Sequence, residues 1–165
     1  MTDWDPLTIW FYEECYIRFA AEDYEYNKVG NKFSHLTNNS IAKYSKSDEA
    51  KIIDGNMWDV NQFNDYLKGL TGKDMFFDKI KPDMKKIAKY SCQAAQDVVE
   101  ARKNSHELFG YDFMVDENMN TWLIEINSSP AMDYSTVSLH FDIILMVFSP
   151  SLRDWLSQFC LTWSK

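Results

Sequence analysis

The stretch GYDFMVDENMNTWLIEIN, residues 110–127, decides how the rest of the chain is read. Its two arms, Tyr111–Asp116 and Thr121–Asn127, are rich in aromatic and β-branched residues and predict strands, with the polar Glu117–Asn120 as the turn between them. A turn symmetric about the bond between Asn118 and Met119 makes Asp112 the cross-strand partner of Glu125. Side chains alternate along a strand, so Asn127 projects with Glu125 while Trp122, Ile124 and Ile126 project from the opposite face. Two carboxylates and an amide oxygen then converge on one patch. Directly opposed residues have Cβ atoms roughly 4.5 to 5.5 Å apart, and like charges so placed repel. A cation belongs between them.

The whole chain frames that patch. Its 165 residues make one domain by length, with enough material for a core. Hydrophobic residues form 45% and charged residues 25%, a globular rather than a disordered composition. The net charge of −8 is uneven: 11 acids and 6 bases over residues 1–60, 7 and 9 over 61–111, and 7 and 2 over 112–165. Only the middle third is basic, which argues against a nucleic-acid partner for the chain as a whole. The aliphatic and aromatic run Ile143–Phe148 is far too short to cross a bilayer, so no membrane partner is expected. The acidic start MTDWDPLT lacks the apolar segment of a signal peptide. Cys15, Cys92 and Cys160 are odd in number and far apart, as reduced thiols of an intracellular protein would be.

Along the chain, Thr8–Tyr12 and Cys15–Ala20 predict a short hairpin around Glu13-Glu14, with Arg18 on its second arm. Lys46–Asn56 is charged and aperiodic and predicts an exposed loop. Phe63, Tyr66, Leu67 and Leu70 share one face of a helix over Met57–Leu70. A longer helix begins near Pro82, with Met84, Ile87, Ala88, Ser91, Ala94, Ala95 and Val98 on its buried stripe and Lys85, Lys86 and Lys89 on another face. After the 110–127 hairpin, Asn-Ser-Ser-Pro ends the strand. A helix is expected from His140 to Phe148, stopped by Pro150, and an aromatic turn or helix from Leu152 to Trp163. The class is α+β or α/β, helices packed over a mixed sheet.

An Asp, a Glu and an Asn offer only oxygen and suit a hard cation; magnesium is usually held by one or two carboxylates together with substrate phosphates. The other reading is a solvent-facing sheet on which the acids alternate for solubility, slightly out of register. Against it, both acids interrupt strands of large apolar residues, where burial would leave two unpaired charges. Asn127 repeats the same face, and the chain turns sharply just beyond it, where sites tend to be built. Arg18 can grip phosphate oxygens in a bidentate way, or can be an exposed strand arginine paired with a nearby acid. Asn38, in HLTNNS, suits a turn or a helix N-cap before Ile41. His35 is read as a packed or hydrogen-bonded residue with no catalytic role. The Lys85, Lys86 and Lys89 cluster reads as a solvated helix face that could also meet an acidic peptide.

These residues carry a family resemblance. GYDFMVDENMNTWLIEINSSP resembles the metal-binding hairpin of the tubulin tyrosine ligase-like enzymes, a branch of the ATP-grasp superfamily, through its Gly-x-Asp, the thirteen-residue step from Asp112 to Glu125, and Glu-x-Asn-x-Ser-Pro. The resemblance extends to YIRFA at 16–20, HLTNNS at 35–40, Met57-Trp58 and the helix before the hairpin, covering Pro6 to about His140. PLTIWFYEECYIRF and PAMDYSTVSLH are most similar to the glycine-ligating branch. The resemblance implies that Asp112, Glu125 and Asn127 hold Mg2+ bridging the phosphates of ATP, that Arg18 faces the phosphates and the activated carboxylate, and that Asn38 lines the nucleotide site. It implies ATP-dependent amide formation between an amino acid, glycine in that branch, and glutamate side chains of acidic tubulin tails. An acyl phosphate is the intermediate. Partners are then tubulin and microtubules, and the location is the cytoplasm and cytoskeleton, including the axoneme of cilia or flagella.

The resemblance also implies that residues 1–165 are one partial domain, the carboxy-terminal part of an ATP-grasp unit: a hairpin at 1–20, a helical region at 57–110, the metal-binding hairpin at 111–127 and helices over 135–165. The lobe that supplies the adenine pocket and the phosphate-covering loop has no counterpart here, and the 5 glycines form no phosphate loop. The alternatives are a catalytically inactive module that binds metal or a cytoskeletal partner, and a ligase transferring glutamate or tyrosine.

Overall fold

The computed structural model describes residues 1–22, 30–37, 44–45, 57–100, 102, 104–130 and the backbone of 143–147. Its centre is a five-stranded mixed sheet. The strands are β3 (Tyr16–Arg18), β4 (Met57–Asp59), β5 (Gly110–Val115), β6 (Thr121–Asn127) and β7 (Ile143–Val147), in the order β4-β3-β7-β5-β6. β7 runs parallel to both β3 and β5, and the outer pairs β3–β4 and β5–β6 are antiparallel. A separate two-stranded ladder joins β1 (Asp3–Trp4) to β2 (Leu7–Thr8).

Two expectations change here. The hairpin at the start of the chain turns at residues 5–6, pairing Trp4 with Leu7, not at Glu13-Glu14. Cys15–Ala20 does not pair back on Thr8–Tyr12; its strand, β3, is an interior one with β4 on one side and β7 on the other. Ile17 is fully buried there. Within the helix expected over His140–Phe148, the described residues Ile143–Val147 are strand β7, lying between two parallel neighbours. A short continuous apolar run carries no period that separates a helix from a buried parallel strand, and Ile143-Ile144-Leu145-Met146-Val147 is such a run. The loop expected over 46–56 and the aromatic segment 152–163 lie outside the described residues.

One face of the sheet is closed by helices. α1 (Lys32–His35) is a single turn capped by the Asn31 side chain. α2 (Val60–Thr71) begins at Asp59, whose carboxylate accepts from the Gln62 N–H while the Gln62 side chain accepts from the Asp59 N–H, a reciprocal capping box. It ends at Gly72 in the left-handed conformation. Phe63 and Leu67 are its buried stripe, whereas Leu70 stays exposed. α3 (Lys81–Ala95) carries Pro82 in its first turn. The helical path, however, starts earlier, with a π-helical turn over Phe76–Ile80 in which the Lys81 N–H reaches back to the Phe76 carbonyl. Proline lacks an N–H and its ring crowds the carbonyl four residues before it, and the wider turn gives that ring room. Met84, Ala88 and Cys92 are buried on α3, but Ala94 and Val98 are exposed, so the apolar stripe ends a turn sooner than its spacing predicts.

These helices and the sheet share one core: Ile17 and Phe19, Tyr111, Phe113 and Val115, against Phe63, Leu67, Phe76, Ile80, Met84 and Ala88. Phe63 and Phe76 meet edge to face at 6.2 Å. A second small cluster, Tyr16 with Met57, marks the opposite face. No helix among the described residues is long and apolar enough to cross a membrane.

Candidate functional site

Sheet register places the candidate residues. Asp112 pairs with Glu125, as the symmetry of the turn predicts. Across the sheet Asp112 is level with Ile144 of β7, which is level with Tyr16 of β3. Two residues along, Met114 is level with Met146, and Met146 with Arg18. Residues in one transverse row of a sheet project from the same face, and so do residues two apart on a strand. Tyr16, Arg18, Asp112, Met114 and Glu125 therefore share a face, and it is not the helix-packed face of Ile17, Tyr111, Phe113 and Val115. β3 and β5 are two strand spacings apart and Arg18 is level with Met114, two residues beyond Asp112, so Arg18 and Asp112 face each other diagonally across roughly 12 Å.

The hairpin departs from its expected form at one point. From Gly110↔Asn127 through Asp112↔Glu125 the pairing follows a turn centred between Asn118 and Met119, but the next pair is Phe113↔Leu123, then Met114↔Trp122 and Val115↔Thr121. Ile124 is the extra residue of a β-bulge. The bulge reverses the alternation that had placed Trp122, Ile124 and Ile126 on one face. Ile126, level with Tyr111, lies on the helix side, whereas Trp122, level with Met114, lies on the face of Asp112 and Glu125. Trp122 is 58% exposed there. No sequence pattern marks the bulge: the tip register is one residue out from a turn centred between Asn118 and Met119, and the inserted Ile124 restores the pairing of Asp112 with Glu125 that such a turn predicts. Trp122 is thus the residue of this face that the alternation argument misplaced.

The chemistry of the patch follows from burial. Asp112 is 4% exposed although it is a carboxylate, while Glu125 is open to solvent. The Asn127 Nδ2 donates to Glu125 Oε1 at 3.2 Å, so amide and carboxylate sit side by side. A buried carboxylate opposed by a second one is held cheaply only with a cation or strong donors nearby. The set is two carboxylates and an amide, all hard oxygen donors, and this fits Mg2+ with the rest of its shell filled by water or phosphate. Among the described residues no group of three or more His, Cys, Asp or Glu forms a self-sufficient metal cage.

Arg18 is held by the residue two before it. Its Nη2 donates to the Tyr16 hydroxyl at 2.9 Å and its guanidinium lies 5.1 Å from the Tyr16 ring centre, so among the described residues its partner is a phenol rather than the nearby acid expected of a surface arginine. Its Nε is buried and meets no acceptor among the described residues. A guanidinium fixed at one edge with an unused buried donor is prepared for an anion. Asn38 lies outside the described residues, and His35 is the last residue of α1. The lysine face is partly spoken for: Lys85 and Lys81 both bind Glu13, at 2.7 and 2.6 Å, and hold its carboxyl below the ordinary range. Lys85 also lies over Phe11, and Lys86 over Tyr90.

The tip of the hairpin is tightly bonded. Asp116 accepts from the backbone N–H groups of Asn118 and Asn120, from the Asn120 side chain and, at 3.1 Å, from the Trp122 indole. These bonds, that of the Asn120 side chain foremost, hold its carboxyl down at about 2. Lys79, in the π-helical turn, donates to the Asn118 carbonyl and to Asn120 Oδ1, tying the tip to the helical layer.

An α+β chain with this hairpin and this sheet belongs to the Tubulin-tyrosine ligase family, whose profile matches residues 1–162. Among individual proteins the chain is 51% identical over 138 residues to Tubulin glycylase 3C of Tetrahymena thermophila, a match that spans 82% of this chain and 13% of that protein. It is 43% identical over 139 residues to the Protein monoglycylase TTLL8 of Homo sapiens, covering 82% of this chain and 16% of the relative. To the Tubulin monoglycylase TTLL3 of Homo sapiens it is 39% identical over 139 residues, 82% and 18% of the two lengths. The chain therefore spans less than a fifth of the length of these relatives.

Proposed function

We propose that this chain is the carboxy-terminal part of an ATP-grasp catalytic unit that ligates glycine to glutamate side chains of tubulin tails. What supports this reading is a single arrangement: Arg18, Asp112, Glu125 and Asn127, drawn from three strands, stand on one sheet face, opposite the face that α2 and α3 pack against. The similarity to glycylases of the same family supports the choice of glycine. Asp112, Glu125 and Asn127 would hold Mg2+, which when bound offsets the charge of the ATP phosphates.

In the reaction a substrate γ-carboxylate oxygen attacks the terminal phosphorus of ATP and ADP leaves. The amine of glycine then attacks the acyl carbon, phosphate departs with the bonding pair, and the amine loses its proton. The chain's own residues supply position and charge. Arg18, fixed by Tyr16 with Nε unused, faces the transferring phosphoryl group and opposes the charge that develops on it. Asn38 contributes to the nucleotide side. Tubulin on microtubules, and so the cytoskeleton and the axoneme, is where such an activity would act. The lysines of α3 not engaged by Glu13 would add attraction for an acidic tail that the chain's −8 charge otherwise repels.

The test is incorporation of labelled glycine into tubulin, dependent on ATP, by a polypeptide that joins this chain to the further length its relatives have. Incorporation lost in Glu125→Gln is the expected result. Undiminished incorporation by that variant, or tyrosine or glutamate incorporated in place of glycine, would overturn the reading.

A further inference from the structure

The bulge at Ile124 joins two different registers. Near the open end of the hairpin, Gly110, Tyr111 and Asp112 pair with Asn127, Ile126 and Glu125; near the tip, Phe113, Met114 and Val115 pair with Leu123, Trp122 and Thr121. Had the tip register continued downward, Ile124 would stand opposite Asp112, and Glu125 would stand opposite Tyr111 on the helix-packed side. Had the lower register continued upward, Trp122 would stand opposite Val115, also on that side, with its indole turned away from Asp116. A one-residue slip moves every side chain to the other face, and hydrophobic patterning alone does not choose on a strand where Trp122, Ile124 and Ile126 are all exposed. Only the bulged arrangement satisfies both the Asp112–Glu125 pairing and the Asp116–Trp122 hydrogen bond.

We propose that Asp116 is a positioning residue for the acid pair: by holding the Trp122 indole on the face that carries Asp112 and Glu125, it fixes the tip register, enforces the bulge and sets the aim of Glu125. Four hydrogen bonds converge on its carboxylate, and Lys79 anchors the same tip to the π-helical turn, so the tip cannot slide without breaking both sets. A bulge increases local twist and redirects the side chains beside it, here Leu123 and Glu125. Asp116 touches no reacting atom; it acts through Trp122 and the strand. Its consequence for metal binding rests on the assignment of Asp112, Glu125 and Asn127 made above.

The experiment compares the full chain with Asp116→Asn and Trp122→Phe, the second a change that removes the indole donor while keeping an aromatic ring. Cross-strand backbone contacts by NMR report the register, and Mn2+ titration followed by electron paramagnetic resonance reports the acid pair. The expected result is loss of the Phe113–Leu123 and Met114–Trp122 contacts in both variants, with Mn2+ affinity weakened about tenfold, the scale on which partners behind metal ligands act. Contacts retained in both variants overturn the proposal, and so does an unchanged Mn2+ affinity once the contacts are lost. A wild-type chain that binds no Mn2+ sinks the metal assignment instead; the cross-strand contacts then decide the register lock by themselves, their loss in both variants sustaining it and their persistence overturning it.

Discussion

Asp112 stands directly opposite Glu125, and the next rung toward the turn joins Phe113 to Leu123, so the acid pair sits immediately beside a bulge. Two carboxylates opposed across a ladder destabilise it by roughly 0.2–1 kcal/mol when nothing positive lies between them. Without divalent ions, Glu125→Gln, which changes the exposed member of the pair, should therefore melt no lower than the parent chain, and Asp112→Asn is compared beside it. Added Mg2+ should raise the melting temperature of the parent and leave both variants in place, because a ligand that binds the folded state stabilises it by mass action. Calorimetry with and without the ion checks this; an equal rise in all three would place the ion elsewhere.

Arg18→Lys keeps the charge and loses the fork. A lysine cannot bond the Tyr16 hydroxyl, lie over its ring and still present a second planar donor edge. Ligation by the longer polypeptide should fall by roughly two orders of magnitude, the scale of one lost donor to developing charge, while the unfolding midpoint moves little. Single-turnover rates measured beside urea unfolding separate the two, and a parallel loss of both would make Arg18 a residue of stability alone.

The caps of α2 make a pair of stability tests far from the acids. Asp59→Ala removes the carboxylate half of the capping box and should cost about 1 kcal/mol. At Gly72, φ is +72°, a left-handed conformation in which a Cβ is strained, so Gly72→Ala should cost about 1 kcal/mol although the space around it is open. Urea denaturation measures both, and neither change should alter Mn2+ affinity.

Acid sensitivity follows from Asp116. Its carboxyl is held down at about 2, below the ordinary 3.8, by the Asn120 side chain first and then by the Asn120 backbone, Trp122 and Asn118. A group whose value is lower folded than unfolded stabilises the fold fully above the unfolded value, and that contribution drains away as pH falls through the folded one. Stability should thus decline from about pH 4 toward pH 2, and Asp116→Asn should flatten part of that slope in a pH series of thermal melts. Glu13 and Asp74, also lowered by lysine and amide partners, leave some slope behind.

Parts of this fold are readable in the sequence for definable reasons. The 110–127 hairpin was legible because turn polarity and β-branched arms agree, and the stripe of Phe63 and Leu67 because helical spacing repeats. The pairing of Asp112 with Glu125 was legible because the inserted residue brings the open end of the hairpin back to the register of a symmetric turn. The face of Trp122 was not, since the alternation argument has no knowledge of an inserted residue. Strand β7 read as a helix because five apolar residues in a row fit both, and only its two strand neighbours decide. The partners of β3 were hidden for a related reason: Tyr16 pairs with Asp59 and is level with Ile144, separations that no local pattern encodes. The hold of Tyr16 on Arg18 was in plain view as a two-residue spacing on one strand face, but nothing in that spacing alone distinguishes it from chance.

β6 is the outermost strand of the sheet as described, and Trp122, Ile124 and Ile126 are exposed along it. Such an edge is a template for a second copy, and a shared charge of −8 opposes that pairing. Salt shortens the reach of that repulsion to about 10 Å at 0.1 M and to a few ångströms at 1 M. The isolated chain should therefore behave in reverse of a protein that salt protects, staying dispersed in dilute, low-salt buffer and growing turbid as ionic strength rises.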